Sequence, residues 1–295
     1  MASKKIIFVT GADGQLGKSI KKVVKVRDLK DFQFFFFSKS DLDISKEESF
    51  SLIKEKPDFF INCAAYTNVK EAESNKRECF SINSDSVKII DSYCRSNNTT
   101  LIQISTDYVF DGTKKKPYLV HDSKNPLNTY GLSKSECEDY LINFSSSFKI
   151  VRTSWVYSEF GINFFKTILK KLLNSEEIIL IDDQYGKPTY AVELANFLIN
   201  LCIYSDHVAN KSILHFSGNE KMSWLDFGKQ IKEMYVQLGY ETTSRILPID
   251  SKSFQDSVQR PSYSVLSNSE VDFSYANIQH RDTSICIKSI LPLSI

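Results

Sequence analysis

The sequence predicts an α/β protein, a doubly wound parallel sheet followed by a smaller, interleaved C-terminal domain. Short apolar runs alternate with longer amphipathic segments through the first half, the rhythm of strand–helix–strand crossovers. The first apolar run passes directly into Gly11-Ala12-Asp13-Gly14-Gln15-Leu16-Gly17 and then a helical pattern. After about residue 155 the alternation loosens, so the boundary is placed there, with 1–155 as one domain and 156–295 as the other, segments of which return to the first.

Strands are expected at 5–10, 33–37, 58–62, 100–105 and 148–152, and helices at 16–26 and 77–96. The four phenylalanines at 34–37 are too few for a membrane helix, which takes about 20 apolar residues, and read as a strand buried on both faces. Ser45 and Glu48 have the spacing of a reciprocal capping box. The polar stretch 112–125, with Lys114 to Lys116 and Pro117 and followed by Pro126, reads as a long loop of the kind that often carries function. Farther on, helices are expected at 163–173, 191–201 and 223–235 and strands at 178–181 and 245–249.

Composition narrows the partners. With 295 residues, 42% hydrophobic and 25% charged, the chain is neither disordered nor a small disulfide scaffold. A net charge of +1 gives no global field toward nucleic acid or an anionic membrane. Any anionic ligand must be held locally. The six cysteines, at 63, 79, 94, 137, 202 and 286, form no CxxC pair and read as reduced core thiols, with no zinc site. The apolar run after Lys4 and Lys5 is too short for a signal peptide, and a cytoplasmic protein is expected.

The glycine turn between strand and helix is the context of a dinucleotide fingerprint: Gly11, Gly14 and Gly17 let backbone approach a pyrophosphate and pack helix on strand, with Gln15 and Leu16 opening the helix. Its G-x-x-G-x-x-G spacing resembles the short-chain dehydrogenase/reductase pattern. The second strand ends Phe37-Ser38-Lys39 with no carboxylate, so NADPH is at least as well suited as NADH and Lys39 is a partner for a 2′-phosphate. Asp43-Ile44 resembles the pair beside the adenine ring, and Ala64-Ala65 the small residues that let cofactor lie on a strand end.

Tyr-x-x-x-Lys on a helix puts phenol and ammonium on one face, where the lysine lowers the tyrosine pKa for proton exchange. Two segments match, Tyr66 to Lys70 and Tyr130 to Lys134. Tyr130 is preferred because it opens a helix one loop after the strand ending Ser105-Thr106, whose hydroxyl polarises the same carbonyl.

Ser105-Thr106-Asp107-Tyr108-Val109-Phe110-Asp111-Gly112, then Pro126 through Lys134, Arg152 through Tyr157, Asp183 through Thr189 and Arg260-Pro261 together resemble the dTDP-4-dehydrorhamnose reductase family, extended short-chain dehydrogenases of Rossmann type. The resemblance implies reduction by NADPH or NADH of the C4 ketone of dTDP-4-dehydro-6-deoxy-L-mannose to dTDP-L-rhamnose, for surface polysaccharide. It implies Thr106, Tyr130 and Lys134 as catalytic, and a C-terminal substrate-binding domain. Thr67, Val69, Thr106, Asp107, Tyr108, Trp155 and Arg260 are implied on the sugar-nucleotide side, an indole face of Trp155 packing on the sugar and Arg260 on the diphosphate. Lys70 stands where the family commonly has Asp, and no metal is expected because Lys18 and Ser19 follow the glycine turn. A homodimer stays open. Tyr108 in place of Glu argues against a 4,6-dehydratase; another nucleotide-sugar 4-ketoreductase or epimerase of the same fold and a non-catalytic dinucleotide-binding regulatory subunit are the alternatives.

Overall fold

The computed structural model describes residues 3–207, 209–254, 257–269 and 280–295. Its centre is a parallel sheet that starts with β1 (Lys5–Thr10), α1 (Gln15–Val26) and β2 (Phe32–Phe37). It continues through α2 (Glu47–Phe50), β3 (Phe59–Asn62), α3 (Val69–Ala72), α4 (Lys76–Phe80), a π-helical turn and α5 (Ser86–Ser96) to β4 (Thr100–Thr106). Then come α6 (Thr129–Phe144), β5 (Phe148–Thr153), β6 (Val156–Tyr157), α7 (Phe164–Leu173), β7 (Ile178–Ile181), β8 (Tyr185–Gly186), β9 (Thr189–Tyr190) and α8 (Ala191–Ile203). The chain ends with β10 (Lys211–His215), β11 (Met222–Ser223), α9 (Trp224–Gln237), β12 (Ile246–Ile249) and α10 (Thr283–Ile290).

The six sheet strands lie in the order β10-β5-β4-β3-β1-β2, all pairs parallel. Alternate side chains go to opposite faces, as a strand dictates. Ile7 and Val9 pack with Ile20 and Val23 of α1 and Leu194 and Leu198 of α8. Phe8 goes the other way, among Val87 and Ile90 of α5 and Cys137 and Leu141 of α6. The sheet is thus wound on both faces. β10 lies beyond residue 155 in sequence yet pairs with β5, from Lys211 beside Phe148 to His215 beside Arg152. A third core gathers Phe165 and Leu169 of α7, Phe227 and Ile231 of α9 and Ile287 of α10.

Three local expectations change. The phenylalanine run is an edge strand: Phe34 and Phe36 turn to one core and Phe35 and Phe37 to the other, but with a single neighbour β2 stays half-buried. The capping box at Ser45 does not form, because Ser45 Oγ donates to Asp43 Oδ1 at 2.7 Å and α2 starts after Lys46 with no side-chain cap. The true box is at α9, where the Ser223 hydroxyl accepts from the Asp226 N–H and the Asp226 carboxylate accepts from the Ser223 N–H. The loop 112–125 is an internal brace: Tyr118 stacks on Phe110 with centroids 4.2 Å apart and bridges to Leu266, and no loop residue lines the cleft described next. All six cysteines are free, five of them buried.

Candidate active site

The strand order reverses between β1 and β3, and in doubly wound sheets ligands bind outside the carboxyl ends of strands at such a point. A cleft of about 1350 Å³ opens there. At its floor the Thr10 hydroxyl donates to Asn62 Oδ1 at 2.7 Å, tying the two strand ends together. Gly11 has φ +64°, and a Cβ on it would fall 2.7 Å from the backbone of Cys63 and Ala64. Only glycine fits there. Helix α1 begins immediately after, with Gly14 at its N-cap, no side-chain cap and no acidic residue in its first turn. Its first N–H groups are therefore left for an anion.

Lys39, Asp43, Ile44, Ala64 and Ala65 line this end of the cleft, together with Gly11, Gly14, Gln15 and Leu16. Gly17 does not line it. Its role is packing, since a Cβ there would fall 2.3 Å from the Gly11 carbonyl oxygen. The Gln15 amide faces inward: its Oε1 accepts from Ser158 Oγ at 3.0 Å and Asn163 Nδ2 at 2.8 Å, fastening the loop between β6 and α7 to the glycine turn.

Tyr130 sits in the first turn of α6 and Lys134 one turn on, both lining the cleft. The helix start is doubly held. Asn128 Oδ1 accepts from the Gly131 N–H at 2.8 Å, and the Glu73 carboxylate accepts from the Thr129 N–H at 2.7 Å and its hydroxyl at 3.0 Å, where a negative charge also meets the positive end of the helix dipole. One turn below Lys134, buried Glu138 takes two bonds from the Arg152 guanidinium, 2.9 and 2.7 Å, and one from the Ser105 hydroxyl. Burial pushes the Glu138 carboxyl up, but Arg152, with Lys124 and the Ser105 hydroxyl, more than offsets it and leaves the group below the usual carboxylate range. The pair fixes α6 against β4 and β5.

The other match behaves differently. Tyr66 precedes α3 while Lys70 lies on it, so the two share no helix face; Tyr66 lines the cleft and Lys70 does not.

At the end of β4, Thr106 Oγ1 accepts from the Tyr108 N–H at 3.2 Å and donates to Asp107 Oδ1 at 3.1 Å. The Tyr108 ring meets Tyr130 edge-on at 5.9 Å, and its hydroxyl accepts from Arg260 Nη1 at 3.1 Å. Burial pushes the Tyr130 phenol well above its ordinary range; a hydrogen bond with Thr106 opposes this and the Asp107 charge adds to it. Lys134 is itself pulled down by burial. At Tyr130 burial outweighs any lowering by Lys134, and the phenol is held protonated, the form a proton donor needs. Asp107 is buried too, and burial raises it to about 7 against the pull of hydrogen bonds from Ser264 and Thr106.

The sequence model of the family described as "RmlD substrate binding domain" matches residues 4–285. The chain belongs to the RmlD substrate binding domain family. It is 34% identical over 289 residues to a dTDP-4-dehydrorhamnose reductase of Aggregatibacter actinomycetemcomitans, covering 96% of this chain and 97% of that protein. Its fold is similar to a dTDP-4-dehydrorhamnose reductase of Clostridium acetobutylicum, with TM-score 0.87, 31% identity and coverage of 98% and 99% of the two chains. It is also similar to the Bacillus anthracis reductase, whose crystal structure is in complex with NADP, with TM-score 0.86, 29% identity and the same coverage.

In this member of the RmlD family, Thr67, Val69, Thr106, Asp107, Tyr108, Trp155 and Arg260 all line the same cleft as the glycine turn. The expected contact through an indole face of Trp155 does not survive. Trp155 lies flat on Trp224, centroids 3.4 Å apart and planes 4° apart. A Cβ on Gly186 would fall 2.4, 2.6 and 2.8 Å from Trp155 Cε2, Nε1 and Cζ2, which puts it over the ring; no Trp224 atom comes as near, so Gly186 is on the other face. Both faces are taken. Trp224, Phe164, Asn163 and Ile162 line the cleft without having been anticipated. The signal for Trp224 was its place as one of only two tryptophans, at the head of a helical pattern.

Proposed function

We propose that this protein reduces the C4 ketone of dTDP-4-dehydro-6-deoxy-L-mannose with NADPH, giving dTDP-L-rhamnose. The observation that carries the reading is one cleft in which an anion-ready helix N-terminus and half-buried Tyr130, hydrogen-bonded to buried Thr106, stand at one strand-end crossing. The full-length likeness to named dTDP-4-dehydrorhamnose reductases supports it.

The residues present fit a phosphorylated dinucleotide. The uncapped first turn of α1 accommodates the pyrophosphate, exposed Lys39 at the end of β2 the 2′-phosphate, and Ala64 and Ala65 leave room on the strand end. When bound, NADPH supplies the hydride. Tyr130 donates its phenolic proton to the C4 oxygen as that oxygen gains charge, and Thr106 hydrogen-bonds the same oxygen. Lys134 holds the nicotinamide ribose. Tyr108 and Arg260, already joined, orient the sugar nucleotide, Arg260 toward the diphosphate. Residues 1–155 then serve mainly the cofactor and 156–295 mainly the sugar nucleotide, and the cytoplasm is the expected place of action. Among the described residues no helix is long and apolar enough to cross a membrane.

The test offers NADPH with dTDP-4-dehydro-6-deoxy-L-mannose and with UDP- and GDP-linked 4-keto sugars, following NADPH absorbance and identifying product by mass and NMR. Turnover confined to the dTDP substrate, with Tyr130→Phe losing about 10²-fold or more in kcat and keeping its NADPH Kd, supports the reading. Turnover confined to another nucleotide overturns the substrate. A Tyr66→Phe loss larger than that of Tyr130→Phe overturns the proton donor.

A further inference from the structure

Trp155 carries two unfavourable features at once. Its φ is +48°, in the left-handed region that bulky side chains avoid, and its ring lies fully overlapped on Trp224, whereas aromatic pairs prefer offset or edge-on contact. Strain of this kind persists only where surrounding structure dictates it. Here the backbone is fixed by the Thr189 N–H, which donates to the Trp155 carbonyl at 3.2 Å, and by the Ser154 hydroxyl, which donates to the Lys187 carbonyl at 2.8 Å. Gly186 closes one face of the indole and Trp224 the other.

Trp224 is not on a loop free to swing. It is the first residue of α9, held inside the Ser223–Asp226 capping box and directly after β11, which pairs with β8 through Met222 opposite Gly186. The strand pair that brings Gly186 to one side of Trp155 is thus the one that delivers Trp224 to the other. Phe164, at the head of α7, packs on Trp224 with centroids 4.6 Å apart. All three rings line the cleft that Tyr130 also lines.

We propose that Trp224 is a specificity-determining residue of the sugar site: it clamps Trp155 against Gly186 and stands where a sugar ring would otherwise stack on Trp155. The proposal rests on the nucleotide-sugar reductase reading. Trp155 offers the ligand only its rim, and the rigid Trp155–Trp224 stack sets the size of the sugar ring and its substituents. A sugar with a small ring substituent, such as a 6-deoxyhexose, fits; one with an N-acetyl group meets the stack.

The experiment measures kcat and KM of the wild type, Trp224→Phe and Trp224→Ala with NADPH, on dTDP-4-dehydro-6-deoxy-L-mannose and on a dTDP-4-keto sugar with an N-acetylamino substituent. Trp224→Ala is expected to raise KM for the first about 10-fold or more, the usual size of a lost apolar wall, with kcat within about 3-fold by the same measure and the NADPH Kd unchanged. Its preference for the smaller sugar over the N-acetyl one falls by at least the same factor, and Trp224→Phe restores most of both. Unchanged KM and preference in Trp224→Ala overturn the proposal.

Because the chain has two tryptophans, near-ultraviolet circular dichroism reads the stack without turnover. A coupled indole band present in the wild type, absent in Trp224→Phe and undisturbed by saturating dTDP or sugar nucleotide is expected. Loss of that band on adding ligand shows the rings parting and overturns the clamp. If the wild type turns over no dTDP sugar, the reductase reading fails, and the dichroism with dTDP still decides the clamp.

Discussion

Replacing Asp107 by Asn removes a titration whose stability effect can be worked out from the structure. The carboxyl is raised by burial from its ordinary 3.8 to about 7, about three units, each worth about 1.4 kcal/mol. Below pH 4 folded and unfolded chains both hold the proton. Between pH 4 and 7 the unfolded chain gives it up while the folded one keeps it, so stability falls as pH rises. Above pH 7 the penalty levels off at about 4 kcal/mol. Asparagine cannot ionise, so the variant lacks this slope. Urea midpoints of both proteins from pH 4 to 8.5 read it: the difference, variant minus wild type, should move in favour of the variant by several kcal/mol across pH 4–7 and then stay flat. A constant offset reflects only the altered bonds to Ser264 and Thr106. A difference that is level across pH 4–7, or that moves toward the wild type, refutes the argument that Asp107 is buried neutral.

Thr106→Val keeps the shape and removes the hydroxyl between Tyr108, Asp107 and Tyr130; kcat with saturating sugar nucleotide should fall about 10²-fold, and an unchanged kcat disproves its part in polarising the carbonyl. Gly11→Ala forces a side chain into a left-handed residue 2.7 Å from strand-end backbone, so titration should show NADPH binding weakened and calorimetry a lower Tm, by more than the roughly 1–2 kcal/mol of the conformation alone; wild-type affinity and Tm would rule out the close approach. Arg260→Ala should raise KM for the sugar nucleotide about 10-fold, in line with a charged hydrogen bond, and leave the NADPH Kd alone; a change confined to NADPH would move Arg260 to the other end of the cleft.

The first half of the fold was legible because its strands announce themselves: β1 and the glycine turn need no tertiary information, and the predicted strand 5–10 is the observed Lys5–Thr10. β10 was not anticipated, since Lys211–His215 is short and takes its place by pairing with β5. The Tyr130–Lys134 spacing was readable from helix geometry. The protonation state of Tyr130 was not, because it follows from burial. The contact mode of Trp155 depended on Gly186 and Trp224, distant in sequence and brought in by a two-residue strand pair.

The place of β10 in the sheet also orders the chain's synthesis and folding. β5 is buried along its whole length, and one of its edges has no partner until Lys211–His215 has been made. A nascent chain, or a fragment cut near residue 155, therefore presents unpaired N–H and C=O groups on a strand that the full chain buries, which invites pairing with another copy. The boundary that looks natural in sequence is a poor place to cut, and a soluble, NADPH-binding fragment needs to run past β10.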